Sequence, residues 1–288
     1  MSEKLSYSES DSEKKPEEKI SRRNFLARAG KLGLGMLGAS FLLSQNSRKE
    51  NKPSLESIGA TKSAEDIVRE HEEERLAQFE KVKTDEEKEK ILQNNNPDDI
   101  AKICERVASY QSEAKKYAEI YHLDPKLLLG LIFIESKGES DAKNISTGAM
   151  GLCQFTRDAA KQFGLIIEEY GQRQDYRTDS AKSIEAAAKY IAYYKKYLGS
   201  EDLAIESFHM GYGTIFDLIQ THVAPKTIKK YPSEITIPQK ISYSKIYFDA
   251  TRKPNSAINN FLFHQLSDDS ANYYFKILAA AKILSEKN

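Results

Sequence analysis

Tryptophan is absent from the 288 residues, and cysteine occurs only twice, at Cys104 and Cys153. Two thiols so far apart exclude a disulfide-stapled scaffold, and no Cys/His spacing of the zinc-ligand type accompanies them. The five histidines are scattered and form no metal-ligating pair, so neither a metal nor a cofactor is expected. Net charge is missing too: 43 basic and 43 acidic residues cancel, which removes the electrostatic footprint of a nucleic-acid binder. The apolar run Leu32–Leu43 is short of the roughly 20 residues that cross a bilayer. What remains is a chain long enough for one or two domains with a sizeable core. Its aromatic content is mostly Tyr and Phe; such residues suit sugar faces, but ordinary core and surface positions account for the composition.

The chain is organised around 127–154, LLLGLIFIESKGESDAKNISTGAMGLCQ. It opens as an almost unbroken apolar run, Leu127 to Ile134, interrupted only by Gly130, which predicts a helix buried on all sides. The run ends on one carboxylate, Glu135, followed by Ser136. A glycine-rich apolar segment, Gly148 to Gln154, comes next, where backbone can approach a ligand closely. Glu135 would be partly desolvated and near the negative end of a helix dipole; both favour the neutral acid, so a raised pKa is expected. A carboxylic acid still protonated near neutral pH is what glycosidic cleavage needs to protonate the leaving oxygen. A solvated helix terminus is the bland alternative, and the companions of Glu135 decide.

The N-terminus reads as a targeting signal. A polar leader to Ile20 is followed by Ser21-Arg22-Arg23-Asn24-Phe25-Leu26 and then by Leu32–Leu43, an apolar stretch of signal-peptide length. The paired arginines with Phe-Leu resemble the twin-arginine export signal of bacteria, which implies residues 1–44 as the signal, the twin-arginine machinery as a partner and the periplasm or cell envelope as destination. No small-x-small cleavage site follows Leu43, so an uncleaved segment associated with the membrane stays open, and no cysteine follows that would make a lipoprotein.

Residues 45–64 read as a polar linker. From 65 to 96 charge dominates, with Val68, Leu76, Phe79 and Val82 as a thin apolar stripe; Thr84 and Glu87 resemble a capping box restarting the helix, so two solvated helices are expected here. Asn96-Pro97-Asp98-Asp99 starts the main domain, 97–288, and helical spacing runs on to about His122. Asp124-Pro125 repeats the start signal. Further helices are expected near 157–163, 181–198, 202–208, 215–220 and 269–284. The fold class is all-α, with a short irregular or β-containing insertion at 222–266. There four prolines occur, and Ile235, Ile237, Ile241 and Tyr243 alternate with polar residues, permitting short strands. The insertion lines a cleft with Tyr231, Tyr243, Tyr247 and Phe248 or forms a structural wrap; the wrap is favoured, because long loops usually carry their own packing.

Four blocks carry a family resemblance. Glu135-Ser136 with Gly148-Ala149-Met150-Gly151-Leu152-Cys153-Gln154 resembles Glu-Ser followed by Gly-Ala-x-Gly-Leu-Met-Gln, the hallmark of soluble lytic transglycosylases. Asp179, Ser183, Ile184, Ala186, Ala187, Tyr190 and Ile191 match a second block. Ser207-Phe208-His209-Met210-Gly211-Tyr212-Gly213 is similar to the family's Ala-Tyr-Asn-x-Gly-x-Gly, and 269–279 resembles its final block. The blocks lie in family order and cover under half of the chain.

The resemblance implies a lysozyme-like helical domain acting on peptidoglycan glycan strands, with one catalytic carboxylate and no aspartate nucleophile. Glu135 would protonate the oxygen between N-acetylmuramic acid and N-acetylglucosamine, then take the proton of the muramoyl 6-hydroxyl as that oxygen closes on C1, giving a 1,6-anhydro sugar. Ser136 and Gln154 would hydrogen-bond near the cleavage point, Met150 would pack against a sugar, and Tyr273, with Tyr243 as runner-up, would hydrogen-bond Glu135. Phe208 and His209 would sit on the substrate side. Here the chain departs from the family: His209 stands for Asn, Phe208 for Tyr, Cys153 for Met, and Gly138 where an aromatic is common. Two other readings compete. A goose-type-lysozyme-like hydrolase would need a positioned water and further acids, for which Glu139 and Asp141 are candidates. The altered Phe208-His209 pair also fits a non-catalytic peptidoglycan-binding scaffold.

Overall fold

The computed structural model describes residues 63–167, 175–223, 241–266 and 269–287. The segment 1–44 expected to direct export, nearly all of the expected linker, and Tyr231, Ile235 and Ile237 lie outside these residues. The described chain is all-α, as expected.

The first helix, α1, runs unbroken over Ala64–Gln93, not as two helices. Thr84 explains the difference: its Oγ1 donates back to the Glu80 carbonyl at 2.8 Å, so the hydroxyl is satisfied inside the helix and caps nothing. Glu87 lies buried and paired with Lys90 at 2.6 Å. The charged extension also docks more firmly than a thin stripe predicts. Phe79 packs against Tyr247, Phe248 and Phe275, while Val68 and Val82 stay exposed.

Helix α2, Pro97–Ala108, begins as its sequence dictates, Asn96 Oδ1 accepting from the Asp99 amide at 2.8 Å with Pro97 at the first position. The expected continuous helix breaks at Ser109-Tyr110, where Ser109 Oγ donates to the Arg106 carbonyl at 2.6 Å; α3 follows over Gln111–Tyr121. Helix α4, Pro125–Ser136, is capped by Asp124, which accepts from the Lys126 amide at 2.9 Å. Leu128, Leu131, Ile132 and Phe133 are buried along it, each worth about 1.5–3 kcal/mol of transfer free energy.

The short α5, Arg157–Gln162, leads through a 3-10 turn, Tyr176–Thr178, to α6, Ser180–Leu198. Helices α7, Glu201–Met210, and α8, Tyr212–Val223, follow. In the insertion, the described part is helical. Ser242 caps α9, Tyr243–Arg252, so Tyr243 opens a helix and is not part of a strand. A brief α10, Ala257–Asn260, passes into a wider turn at Phe261–Gln265. Tyr243, Tyr247 and Phe248 are buried, and the first two rings contact Phe275; this part packs as a wrap.

The last helix, α11, Tyr273–Lys287, runs through the core and packs closely on α4. Gly130 makes the approach possible: a Cβ there would lie 2.4 Å from the Ile277 carbonyl oxygen. The single interruption in the apolar run is thus where the two central helices touch.

Candidate active site

Glu135 is the penultimate residue of α4 and half-buried. Lys137, in the left-handed region, ends the helix with its amide on the Phe133 carbonyl. Gly138 follows with φ of 77°, and a Cβ there would stand 2.9 Å from Arg106 Cβ. An aromatic does not fit at this position in this chain, because α2 closes over it. Arg106 Nε and the Tyr110 hydroxyl hold the carbonyls of Lys137 and Gly138. Glu139 and Asp141 are exposed, and Glu139 leans towards Arg106 at 3.6 Å.

Tyr273, the first residue of α11, brings its hydroxyl to Glu135, donating to Oε1 at 2.6 Å. Tyr243 does not reach this place; its hydroxyl donates to the Ala271 carbonyl at 2.7 Å. Tyr273 is itself buried, and His209 lies flat on its ring, 4.5 Å between centroids at 12°, a stack worth about 0.5–1.5 kcal/mol beyond area burial. His209 Nε2 is 3.0 Å from Ser270 Oγ. Phe208 turns its ring into an aromatic cluster, edge-on to Phe155 and Tyr190.

The glycine-rich segment, which forms the floor beside Glu135 in the proposed site, is held by a set of hydrogen bonds. Met150 pairs by its backbone with both Lys143 and Phe155, and is half-buried. Gln154 adopts φ of 52°, and its Nε2 donates to the carbonyls of Ala142 at 3.0 Å and Gly151 at 2.8 Å. Its amide nitrogen therefore braces the loop. Ser136 is buried, its hydroxyl on the Ile132 carbonyl at 3.2 Å. Ser183 on α6 accepts from the Cys153 amide at 3.3 Å. Burial pushes the Cys153 thiol up to about 12, and the charge of Glu135 adds to that push. Burial also raises Cys104, and both cysteines are free.

The sequence reading missed Arg177. It is 4% exposed, and its Nη1 donates to the carbonyls of Gly148 at 2.8 Å and Phe155 at 3.2 Å. Its remaining nitrogens grip Asp175, with Nη2 at 2.6 Å from Oδ2. Hydrogen bonding to Arg177 holds the Asp175 carboxyl below its usual range. Gly151, with φ of 82°, presses so close that a Cβ would sit 1.6 Å from the Arg177 carbonyl oxygen. The flanking Asp175 and Asp179 are the only local signal for this residue, since an Arg between acids also fits a solvated turn.

Among the described residues no group of three or more His, Cys, Asp or Glu is placed to hold a metal ion. No helix among them is long and apolar enough to cross a membrane.

No curated protein matches the sequence. Among solved structures, the chain is similar to an inactive mutant of the lytic transglycosylase Slt from Pseudomonas aeruginosa, at 16% identity and a TM-score of 0.40. That similarity covers 62% of this chain, which spans only 24% of the Slt chain. The family model described as the transglycosylase SLT domain matches residues 112–230. Glu135, the glycine-rich segment and the Ser207–Gly213 turn all lie inside that match.

Proposed function

We propose that the protein is a peptidoglycan lytic transglycosylase that cleaves between N-acetylmuramic acid and N-acetylglucosamine and leaves a 1,6-anhydromuramoyl end. The observation that carries this reading is the Tyr273 hydroxyl on Glu135 Oε1 at 2.6 Å, at the end of a buried helix beside a braced glycine-rich floor. One carboxylate serves both steps. Tyr273 holds Glu135 through Oε1, and Glu135 gives its proton to the glycosidic oxygen. The carboxylate left behind then accepts the proton of the muramoyl 6-hydroxyl as that oxygen bonds to C1, as microscopic reversibility of acid and base allows. The substrate's acetamido group supports the cationic intermediate in place of an aspartate.

On this reading Ser136, Met150 and His209 border the glycan, Phe208 backs them from the aromatic cluster, and Gln154 shapes the floor under it. Residues 1–44 direct export through the twin-arginine route, placing the enzyme at peptidoglycan in the periplasm or cell envelope. Mass spectrometry of digested peptidoglycan tests the proposal. Anhydromuramoyl ends from wild type, absent with Glu135→Gln, are expected; reducing ends would assign a hydrolase, and binding without cleavage a scaffold.

A further inference from the structure

Helix α7 presents Asp202, Glu206 and His209 along one face, spaced four and three residues apart. Each holds the start of another helix. Asp202 Oδ2 accepts from the Tyr243 amide at 2.6 Å, at the first residue of α9. Glu206 Oε2 accepts from the Tyr274 amide at 2.8 Å, at the second residue of α11. His209 covers the ring of Tyr273, the residue between. The first turn of α11 is therefore fixed by its backbone through Glu206 and by a ring face through His209. First-turn amides have no partner within their own helix, so an outside acceptor decides where that turn sits.

Glu206 is fully buried, and among the described residues its Oε1 has no hydrogen-bond partner. A buried carboxyl with one oxygen unpartnered is costly to keep, and apolar packing alone does not account for it. The titratable and charged groups acting on it are Asp202 on α7, Lys276 on α11 and Tyr243 on α9. Burial raises its pKa well above the usual value, and Oε2 is the acceptor for the Tyr274 amide.

We infer that Glu206 is a positioning residue for the proposed reaction: its grip on the Tyr274 amide sets the first turn of α11 so that the Tyr273 hydroxyl reaches Glu135. This rests on the transglycosylase reading, and Glu206 acts only through Tyr273. Glu206→Gln keeps an acceptor oxygen and no charge, whereas Glu206→Leu keeps the bulk and loses the acceptor.

The test measures kcat and KM on purified glycan strands for wild type, Glu206→Gln, Glu206→Leu, Tyr273→Phe and the Glu206→Leu/Tyr273→Phe pair. Glu206→Ala replaces the leucine variant if that does not fold. Glu206→Leu should lower kcat by about tenfold with KM within about twofold, and Glu206→Gln should stay within about threefold of wild type. In the double variant, Glu206→Leu should add less than about twofold to the loss from Tyr273→Phe. Losses that multiply, or a glutamine variant as impaired as the leucine one, would overturn the inference. Amide hydrogen exchange gives a readout independent of activity: Tyr274 should exchange on the order of 100-fold faster in Glu206→Leu, with Phe133 in α4 little changed. Unchanged protection at Tyr274 would also overturn it. Wild type that releases no product defeats the functional reading alone, and the exchange measurement then decides on Glu206.

Discussion

Tyr273 donates its hydroxyl to Glu135 Oε1 at 2.6 Å, joining residues 138 positions apart in the chain. The acid ends α4, the hydroxyl begins α11, and the two helices meet at Gly130. Removing the hydroxyl with Tyr273→Phe leaves the ring under His209 and takes away one hydrogen bond, worth about 1.5–3 kcal/mol once Glu135 has given up its proton and is charged. The expected result is a fall in kcat of roughly ten- to a hundredfold with little change in KM. Steady-state kinetics on glycan strands beside a thermal melt check it.

Gly130→Ala should injure the same contact from a distance. The added methyl would stand 2.4 Å from the Ile277 carbonyl oxygen, which is backbone and cannot turn aside. Helix α11 must move off α4, at a cost of about 1–3 kcal/mol for overpacking. A lower Tm together with a lower kcat is expected, although alanine is the better helix former.

Arg177→Met removes the guanidinium that holds two floor carbonyls and Asp175. Leaving those carbonyls unpaired costs about 1–3 kcal/mol, so the variant should melt below wild type and show faster amide exchange at 148–155. Acid should mimic it in part. The Asp175 pKa is depressed in the fold, so its stabilisation is present above the unfolded value of 3.8 and is lost as pH falls through the lower folded value. Wild type should therefore lose stability below about pH 4 by more than Asp175→Asn does.

Glu206 should behave in the opposite sense. Its folded pKa lies well above the ordinary 4.5, so its stabilisation is complete below that value and is lost as pH rises towards the folded one. Glu206→Gln does not titrate. Its melting temperature relative to wild type should climb as pH rises from about 4.5 to neutrality, and a pH-independent difference would show that Glu206 titrates normally.

Much of this architecture was legible because it is written in local signals. Asn96-Pro97 and Asp124-Pro125 start helices where they stand, and the apolar run around Leu131 can only be buried. The break in that run, Gly130, stood in the sequence only as an interruption; the approach of Ile277 that requires it appears only in the fold. Other features depend on what the chain folds against. Thr84 and Glu87 have capping spacing, yet Thr84 finds a carbonyl four residues back and the helix continues. Tyr243 sits in an alternating pattern, but Asp202 and Ser242 fix its neighbourhood as a helix start. Arg177 looks like a surface cation until Gly148 and Phe155 turn their carbonyls to it. Glu206 carried one hint, a lone acid among the apolar residues Leu203, Ala204 and Ile205.

The central claim is that Glu135 is a single carboxylate serving as acid and then base in a cleavage that uses no water. The direct measurement is mass spectrometry of purified peptidoglycan digested by wild type and by Glu135→Gln. The account predicts 1,6-anhydromuramoyl ends from wild type and intact strands from the variant. Reducing muramoyl ends from wild type, or full lytic activity with Glu135→Gln, would contradict it.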